Sequence, residues 1–398
     1  MPMHTILRLW KLLLAFTLVL PMAPAAQAQK ATIERLDGSR ISVPEIERLV
    51  LALMDSAQVP GLALAVLEDN KVQYVKTFGY RNVQKRLPLE PQTAMYAASF
   101  SKAVFAYLVM QLVQEGALDL DKPLYQYLGK LLPEIKGYQD LATDERWKQI
   151  TARMALTHTT GFPNWRWFEP DEKLRFKFAP GTKYWYSGEG IQLLQVVVEK
   201  ITRKGLLQLS EERVFKPLKM TRTSYIWQPA FELSHAIGYM EDGKAVPKEK
   251  RDEAQAAGSM ETTITDYATF MAAVMQGKDL TPKAKQEMVR AQVAIPFKAQ
   301  FGPLATVATD ENKAIKLAYG LGWGVFESPY GPAYFKEGHD DGWENHSVAF
   351  SDQKKGLVIM SNSSNADKLF KELLEKILGD TATPWRWENY VPYNYSGK

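Results

Sequence analysis

Strand-forming runs cluster at the two ends of this 398-residue chain and are scarce between them, and that distribution limits the folds open to it. Residues 62–67 form a continuous apolar run, Glu68-Asp69-Asn70-Lys71 reads as a turn, and residues 72–80 alternate as a second strand. Comparable runs return only at residues 321–327, 333–337, 347–352 and 357–361. The long middle reads as helices and loops, with helical spacing over 150–161, 192–203 and 261–277, each ending near a glycine. Amphipathic helices are predicted at 44–58 and 366–378. One sheet assembled from both ends, about 29–97 and 318–380, with a mostly helical insertion at about 103–317, accounts for this pattern. The predicted class is therefore α+β, an antiparallel sheet flanked by helices, closed by contacts far apart in sequence. Residues 381–398, rich in Trp, Tyr and Pro, read as an extended aromatic arm.

The first 28 residues are set apart. His4, Arg8 and Lys11 make a basic start, residues 12–20 are apolar, and Ala26-Gln27-Ala28 offers small side chains for cleavage, the pattern of a secretory signal peptide. Pro21 and Pro24 cut the apolar run short of the ~20 residues a membrane span needs. Cleavage near Ala28 places the expected product in the periplasm or outside the cell, with no stable membrane anchor. Losing Arg8 and Lys11 reduces the 49 basic residues to 47 against 45 acids. So even a balance gives no reason to expect nucleic acid as a partner. The absence of cysteine removes thiol chemistry, disulfides and thiolate metal sites, and the five histidines show no metal-binding spacing. No cofactor or metal is expected, only a small-molecule or peptide substrate acted on by a monomer.

Ahead of the insertion lies Ala98-Ser99-Phe100-Ser101-Lys102, followed by an apolar run to Val113. Residues three apart share a helix face, so a helix starting at Ser99 sets Lys102 one turn behind it. A serine hydroxyl is a poor nucleophile until a neighbour takes its proton, and a lysine does so when burial lowers its pKa. The alternative is Ser99 as a helix cap with Lys102 reaching water. A second Ser-x-x-Lys, Ser351 to Lys354, falls in a polar hairpin turn where nothing would depress a lysine pKa.

Two further stretches keep company with the first. In Tyr184-Trp185-Tyr186-Ser187-Gly188-Glu189-Gly190, Tyr186 is a phenol that, near an ammonium, shifts toward phenolate and exchanges protons; the other reading is a tyrosine in an aromatic cluster. The other stretch is Lys336-Glu337-Gly338-His339-Asp340-Asp341-Gly342-Trp343, between two predicted strands.

Ser99-x-x-Lys102, Tyr186-x-Gly188 and Gly338-His339-x-Asp341-Gly342, in that order, resemble the three motifs of the class C β-lactamase-like serine hydrolases. This group also holds D-alanyl-D-alanine carboxypeptidases, D-aminopeptidases and family VIII-type esterases. Leu156-Thr157-His158-Thr159-Thr160-Gly161, Pro180-Gly181-Thr182 and Pro217-Leu218-Lys219-Met220 resemble its supporting elements, and the likeness runs from about Glu45 to Leu378. The resemblance implies a β-lactamase and penicillin-binding-protein-like fold and an acyl-serine intermediate on an ester, peptide amide or β-lactam. It implies that Ser99 is the nucleophile, Lys102 its proton acceptor, and Tyr186 the base that relays protons. His339 would stand where lactamases carry the lysine of Lys-Thr-Gly. The oxyanion hole would come from the Ser99 N–H and one N–H of the strand after the third motif.

Two departures bear on substrate binding. Lactamases of this class carry Asn at the position of Gly188, where its amide grips the substrate's amide side chain. They carry Gly at the position of Asp341, where an aspartate adds bulk and charge unless a one-residue bulge lets Gly342 take over. These departures motivate an alternative, a penicillin- or ligand-binding pseudoenzyme. Glu189 reads as a first-turn acid favoured by the helix dipole, and His158 as a buried, hydrogen-bonded histidine.

Overall fold

A computed structural model describes residues 31–390, so the expected leader at 1–28 and residues 391–398 of the expected arm lie outside the described residues. A ribbon of β1 (Thr32–Glu34) and β2 (Arg40–Ser42) leads into helix α1 (Val43–Ala57). Ser42 and Glu45 close a reciprocal cap at its start, and Ile46, Val50, Leu53 and Met54 form its buried stripe. Strands β3 (Gly61–Glu68) and β4 (Lys71–Asn82) follow, joined through Asp69 and Asn70, both left-handed at φ 52° and 57° as a tight hairpin requires. Next come β5 (Leu87–Pro88), β6 (Met95–Tyr96) and helix α2 (Phe100–Gln114).

The middle holds α3 (Ala152–Leu156), α4 (Gly188–Thr202), α5 (Leu206–Ser210), β7 (Glu261–Thr262), which pairs with β6, α6 (Ile264–Gln276) and α7 (Pro282–Val289). Strands β8 (Val293–Ala294), β9 (Ala318–Tyr319), β10 (Gly324–Ser328), β11 (Gly331–Asp340), β12 (Trp343–Phe350) and β13 (Lys355–Ser361) precede α8 (Asp367–Leu373). Among the described residues the main sheet has nine antiparallel strands in the order β5-β4-β3-β13-β12-β11-β10-β9-β8.

The seam between the chain's two ends is β3 against β13. All eight residues of β3 are buried because both faces are covered. Ala63, Ala65 and Leu67 face the layer of α2 and α6, while Leu62, Leu64 and Val66 face α1 and α8. This explains why the run lacks alternation. Helix α2 is buried on every side from Phe100 to Leu112, which fits its uniformly apolar sequence.

Some local expectations shift. The helix expected over 150–161 is only the short α3, because His158 adopts φ +57° and turns the chain out of helical geometry. Helix α4 starts earlier than its apolar spacing suggests, capped by Ser187, whose hydroxyl accepts the Gly190 N–H at 3.0 Å. Strand β8 adds to the sheet from within the segment read as helical. The C-terminal stretch is no surface arm at Trp387, which is fully buried against Tyr184 and Phe335. Among the described residues no helix is long and apolar enough to cross a membrane.

Candidate active site

Ala98 carries a left-handed backbone, φ +45°, directly before α2, and Ser99 takes the helix's N-cap position. Its hydroxyl makes no capping hydrogen bond, so the cap reading fails. Lys102, one turn on, does not reach water: the residue is 1% exposed, with Nζ 2.9 Å from Ser99 Oγ and 2.6 Å from the Ala257 carbonyl. Strand β11 presses on this turn at Gly338, where a Cβ would come within 2.6 Å of the Ala97 carbonyl; only glycine permits that approach.

Tyr186, on the loop entering α4, is buried, pairs its phenol with the Ser99 hydroxyl, and accepts from Lys336 Nζ at 3.2 Å. Lys102 and Lys336 lie over its ring at 4.9 and 5.1 Å from the centroid. Lys336 in turn donates to Glu337 Oε1 at 2.6 Å, and Gln300 donates to the same oxygen at 2.8 Å. Four ionisable groups, Lys102, Tyr186, Lys336 and Glu337, thus share one buried pocket floor.

Their charges follow from this geometry. Burial, then the nearby Lys336 charge, pushes Lys102 well below the usual lysine range. Burial also lowers Lys336, with Glu337 opposing. Burial works to raise Glu337, yet Lys336 and Gln300 outweigh it and hold it low. Burial and Glu337 push Tyr186 well above its ordinary value, so it is a neutral phenol, contrary to the expected drift toward phenolate. Glu337 offsets the charge of Lys336, and burial together with that neighbouring ammonium disfavours the charged form of Lys102, which suits its amine to accept the Ser99 proton.

The expected set is therefore only partly assembled. Ser99, Lys102 and Tyr186 meet, but the residue that meets Tyr186 from β11 is Lys336, and His339 does not. His339 stands at the exposed end of β11, its side chain 63% exposed, with Nδ1 bonded to the buried Glu344 across the strand pair; that bond raises its pKa to about 9. Asp341 does not intrude on Ser99 either. It lies beyond β11, exposed in the turn to β12, next to Gly342, whose φ of +80° the turn requires and whose N–H donates to Ser364 Oγ at 2.8 Å. The close-approach glycine is Gly338, so neither reading of Asp341 and Gly342 holds. A signal for this was present in Lys336-Glu337-Gly338, a Lys-x-Gly three residues before His339.

Gly188 is packed rather than vacant. Its N–H donates to Asn164 Oδ1 at 3.0 Å, and a Cβ there would lie 2.5–2.7 Å from the Trp165 ring. Glu189 binds Arg166 in a two-point pair, with Arg166 Nη2 2.6 Å from Oε2. His158 is buried, accepts the Ser187 N–H on Nδ1 at 3.2 Å, and stacks on Tyr186 at 4.2 Å; burial holds it neutral. A cavity of about 980 Å³ opens over Ser99, with Trp165, Tyr186, Glu337 and His339 among its lining residues. Asn164, Trp165, Lys336 and Glu337 were not anticipated as site residues.

A family defined as beta-lactamase matches residues 46–379. The beta-lactamase of Escherichia coli (strain K12) is 28% identical over 308 residues, 74% of each chain. Protein flp of Staphylococcus aureus (strain NCTC 8325 / PS 47) is 24% identical over 216 residues, half of this chain but only 41% of that protein. Among solved structures, the octameric penicillin-binding protein homologue from Pyrococcus abyssi superposes with a TM-score of 0.69 at 21% identity, over 88% of this chain and 80% of its own. D-alanine carboxypeptidase AmpC from Burkholderia cenocepacia gives 0.65 at 23% identity, over 83% and 97%. Both likenesses are of fold.

Proposed function

The chain belongs to the beta-lactamase family and is a serine hydrolase, and from that premise we propose that it cleaves an ester, peptide amide or β-lactam through a covalent acyl group on Ser99. The observation that carries this reading is the Ser99–Lys102 pair: a lysine amine 2.9 Å from the hydroxyl, buried, with its charge disfavoured by a second buried lysine.

In the proposed reaction Lys102 Nζ takes the Ser99 proton as Oγ attacks the carbonyl carbon. Backbone N–H groups of Ser99 and of the passing strand β11 receive the developing oxyanion. On collapse the Tyr186 phenol gives its proton to the leaving atom, Lys336 steadies the phenol oxygen, and the proton held by Lys102 restores the phenol. Water then adds to the acyl-serine by the reverse path, releasing the acid and returning the proton to Ser99. In this scheme Lys336-Glu337-Gly338 takes the place assigned from sequence to His339. Glu337 keeps Lys336 charged, and His339 stands at the cavity rim.

Ser99→Ala tests this directly. Turnover of an activated p-nitrophenyl ester and covalent labelling by a fluorescent penicillin should both vanish, and label on the wild type should map to Ser99. Label on Ser351 would refute the assignment. The pseudoenzyme alternative rested on Gly188 and Asp341, and Asp341 lies in a turn away from Ser99; sustained ester turnover beyond one equivalent eliminates it. Export to the periplasm, with cleavage near Ala28, and a monomeric state complete the proposal, checked by fractionation with N-terminal sequencing and by light scattering.

A further inference from the structure

We propose that Trp165, Trp167 and Phe168 form a stacking subsite beside Ser99 for a flat aromatic group on the acyl side of the substrate, a reading that rests on Ser99 being the nucleophile. Trp165 and Trp167 stack with centroids 4.5 Å apart and planes within 12°, and Phe168 meets Trp167 edge-on at 6.2 Å. Trp167 is 53% exposed and Phe168 70%, and all three line the cavity that holds Ser99. Large aromatic faces left open to water beside a nucleophile gain from being covered by a ligand.

The wall is built rather than incidental. Arg166, between the tryptophans, is clamped by both oxygens of Glu189, and its backbone N–H donates to Glu189 Oε1 at 3.0 Å. Asn164 accepts the Gly188 N–H on its side chain and the Glu189 N–H on its carbonyl, at 3.0 and 3.1 Å. Asn164 and Arg166, on either side of Trp165, are thereby fastened to the first turn of α4, so the ring between them is positioned before any ligand arrives. Trp165 also occupies the space above Gly188, and the Lys102 amine lies 5.7 Å from its ring centroid. That is the side from which an asparagine at 188 would meet the acyl side chain, so an apolar plane replaces an amide there. The same cavity is also lined by Glu249, Asp340 and Asp341, with Arg251 and His339 beside them.

The test uses the full-length protein and p-nitrophenyl esters sharing one leaving group: acetyl, 3-phenylpropanoyl and 3-cyclohexylpropanoyl. The aromatic ester should have the highest kcat/KM, and Trp167→Ala should lower its advantage over acetyl by about tenfold, with Trp167→Phe restoring most of it. An equal loss for all three esters overturns the subsite, as does a cyclohexyl ester that matches the aromatic one. A preference that follows the alcohol, seen by holding acetyl constant and varying the leaving group, overturns the acyl assignment. Binding of the aromatic and acetyl esters to Ser99→Ala, followed by tryptophan quenching, reads the subsite without turnover; equal affinities refute it. Ester turnover that survives in Ser99→Ala instead refutes the nucleophile.

Discussion

Replacing Lys336 with methionine separates the two residues that compete for the third-motif role. The side chain keeps its length, Tyr186 loses its donor, and Glu337, left without a cation, takes up a proton. The two lysine nitrogens sit 4.9 and 5.1 Å from the Tyr186 ring centroid and so are no more than about 10 Å apart. At that spacing, with an effective dielectric of ~20, like charges repel by ~1.7 kcal/mol, or ~1.2 pK units. Glu337 acts on Lys102 in the opposite sense and more weakly, and its carboxylate charge disappears as well, so the net effect is still a rise in the Lys102 pKa, smaller than the lysine–lysine repulsion alone would give. The sign follows from Lys102 needing to be neutral to accept the Ser99 proton. Its deprotonation sets the acid limb of kcat/KM, and raising its pKa moves that limb to higher pH. Losing the charged donor to Tyr186 should cost a further ~10–100-fold at the optimum. His339→Ala, which touches neither lysine nor Tyr186, should leave the acid limb in place and cost less than about fivefold. The assay is the pH profile of p-nitrophenyl ester hydrolysis for both variants, with thermal unfolding as a check on folding. Lys336→Met/Glu337→Gln, which removes both charges, should keep the shifted limb. A limb that moves in His339→Ala and stays put in Lys336→Met would refute the reasoning.

Two more outcomes follow from the same buried groups. Lys102 has a folded pKa well below its unfolded value, so between the two the unfolded chain binds the extra proton and stability rises with pH. Lys102→Met should abolish hydrolysis yet stabilise the fold at pH 7 by ~1–3 kcal/mol, an advantage that shrinks as the pH rises toward the unfolded lysine pKa and is gone above pH ~10; a lower melting temperature at pH 7 would contradict this. Gly188→Asn drives a Cβ to within 2.5 Å of the Trp165 ring and should cost ~1–3 kcal/mol with a loss of all hydrolysis, partly relieved by Trp165→Ala. A Gly188→Asn protein that melts normally and gains lactam turnover would show that Trp165 yields freely.

The sheet was legible because its strands are long, apolar and punctuated by turn residues: the 62–67 and 72–80 runs are β3 and β4 within one or two residues. The short α3 was not, since the left-handed backbone at His158 is set by its packing on Tyr186 and Tyr319 and leaves no mark on apolar spacing. Ser99, Lys102 and Tyr186 stood out because a hydroxyl, an amine and a phenol at family spacing have few other uses. The third motif was placed three residues late. His339 looked chemically apt, and whether Lys336 points into the site depends on which face β11 turns toward α2, a fact of register with β12 rather than of local sequence. Trp165 was invisible for a similar reason: it reaches Gly188 from more than twenty residues upstream.

The seam between β3 and β13 also sets the order in which the molecule can be made. Synthesis at ~5–20 residues per second separates β3 from its partner by about 15–60 s. Throughout that interval the β3–β4 hairpin presents one unpaired edge, on a strand whose eight residues are all destined for the interior. Helix α2 can form early, but the floor that β11 supplies beneath Ser99 arrives only with the closing strands. A chain that stops short of residue 361 therefore keeps Ser99 and Lys102 in sequence while lacking the surface that buries them, and it carries an open apolar strand into a crowded solution. Soluble yield should depend on how quickly the last hundred residues follow the first hundred, more than on the stability of the finished fold.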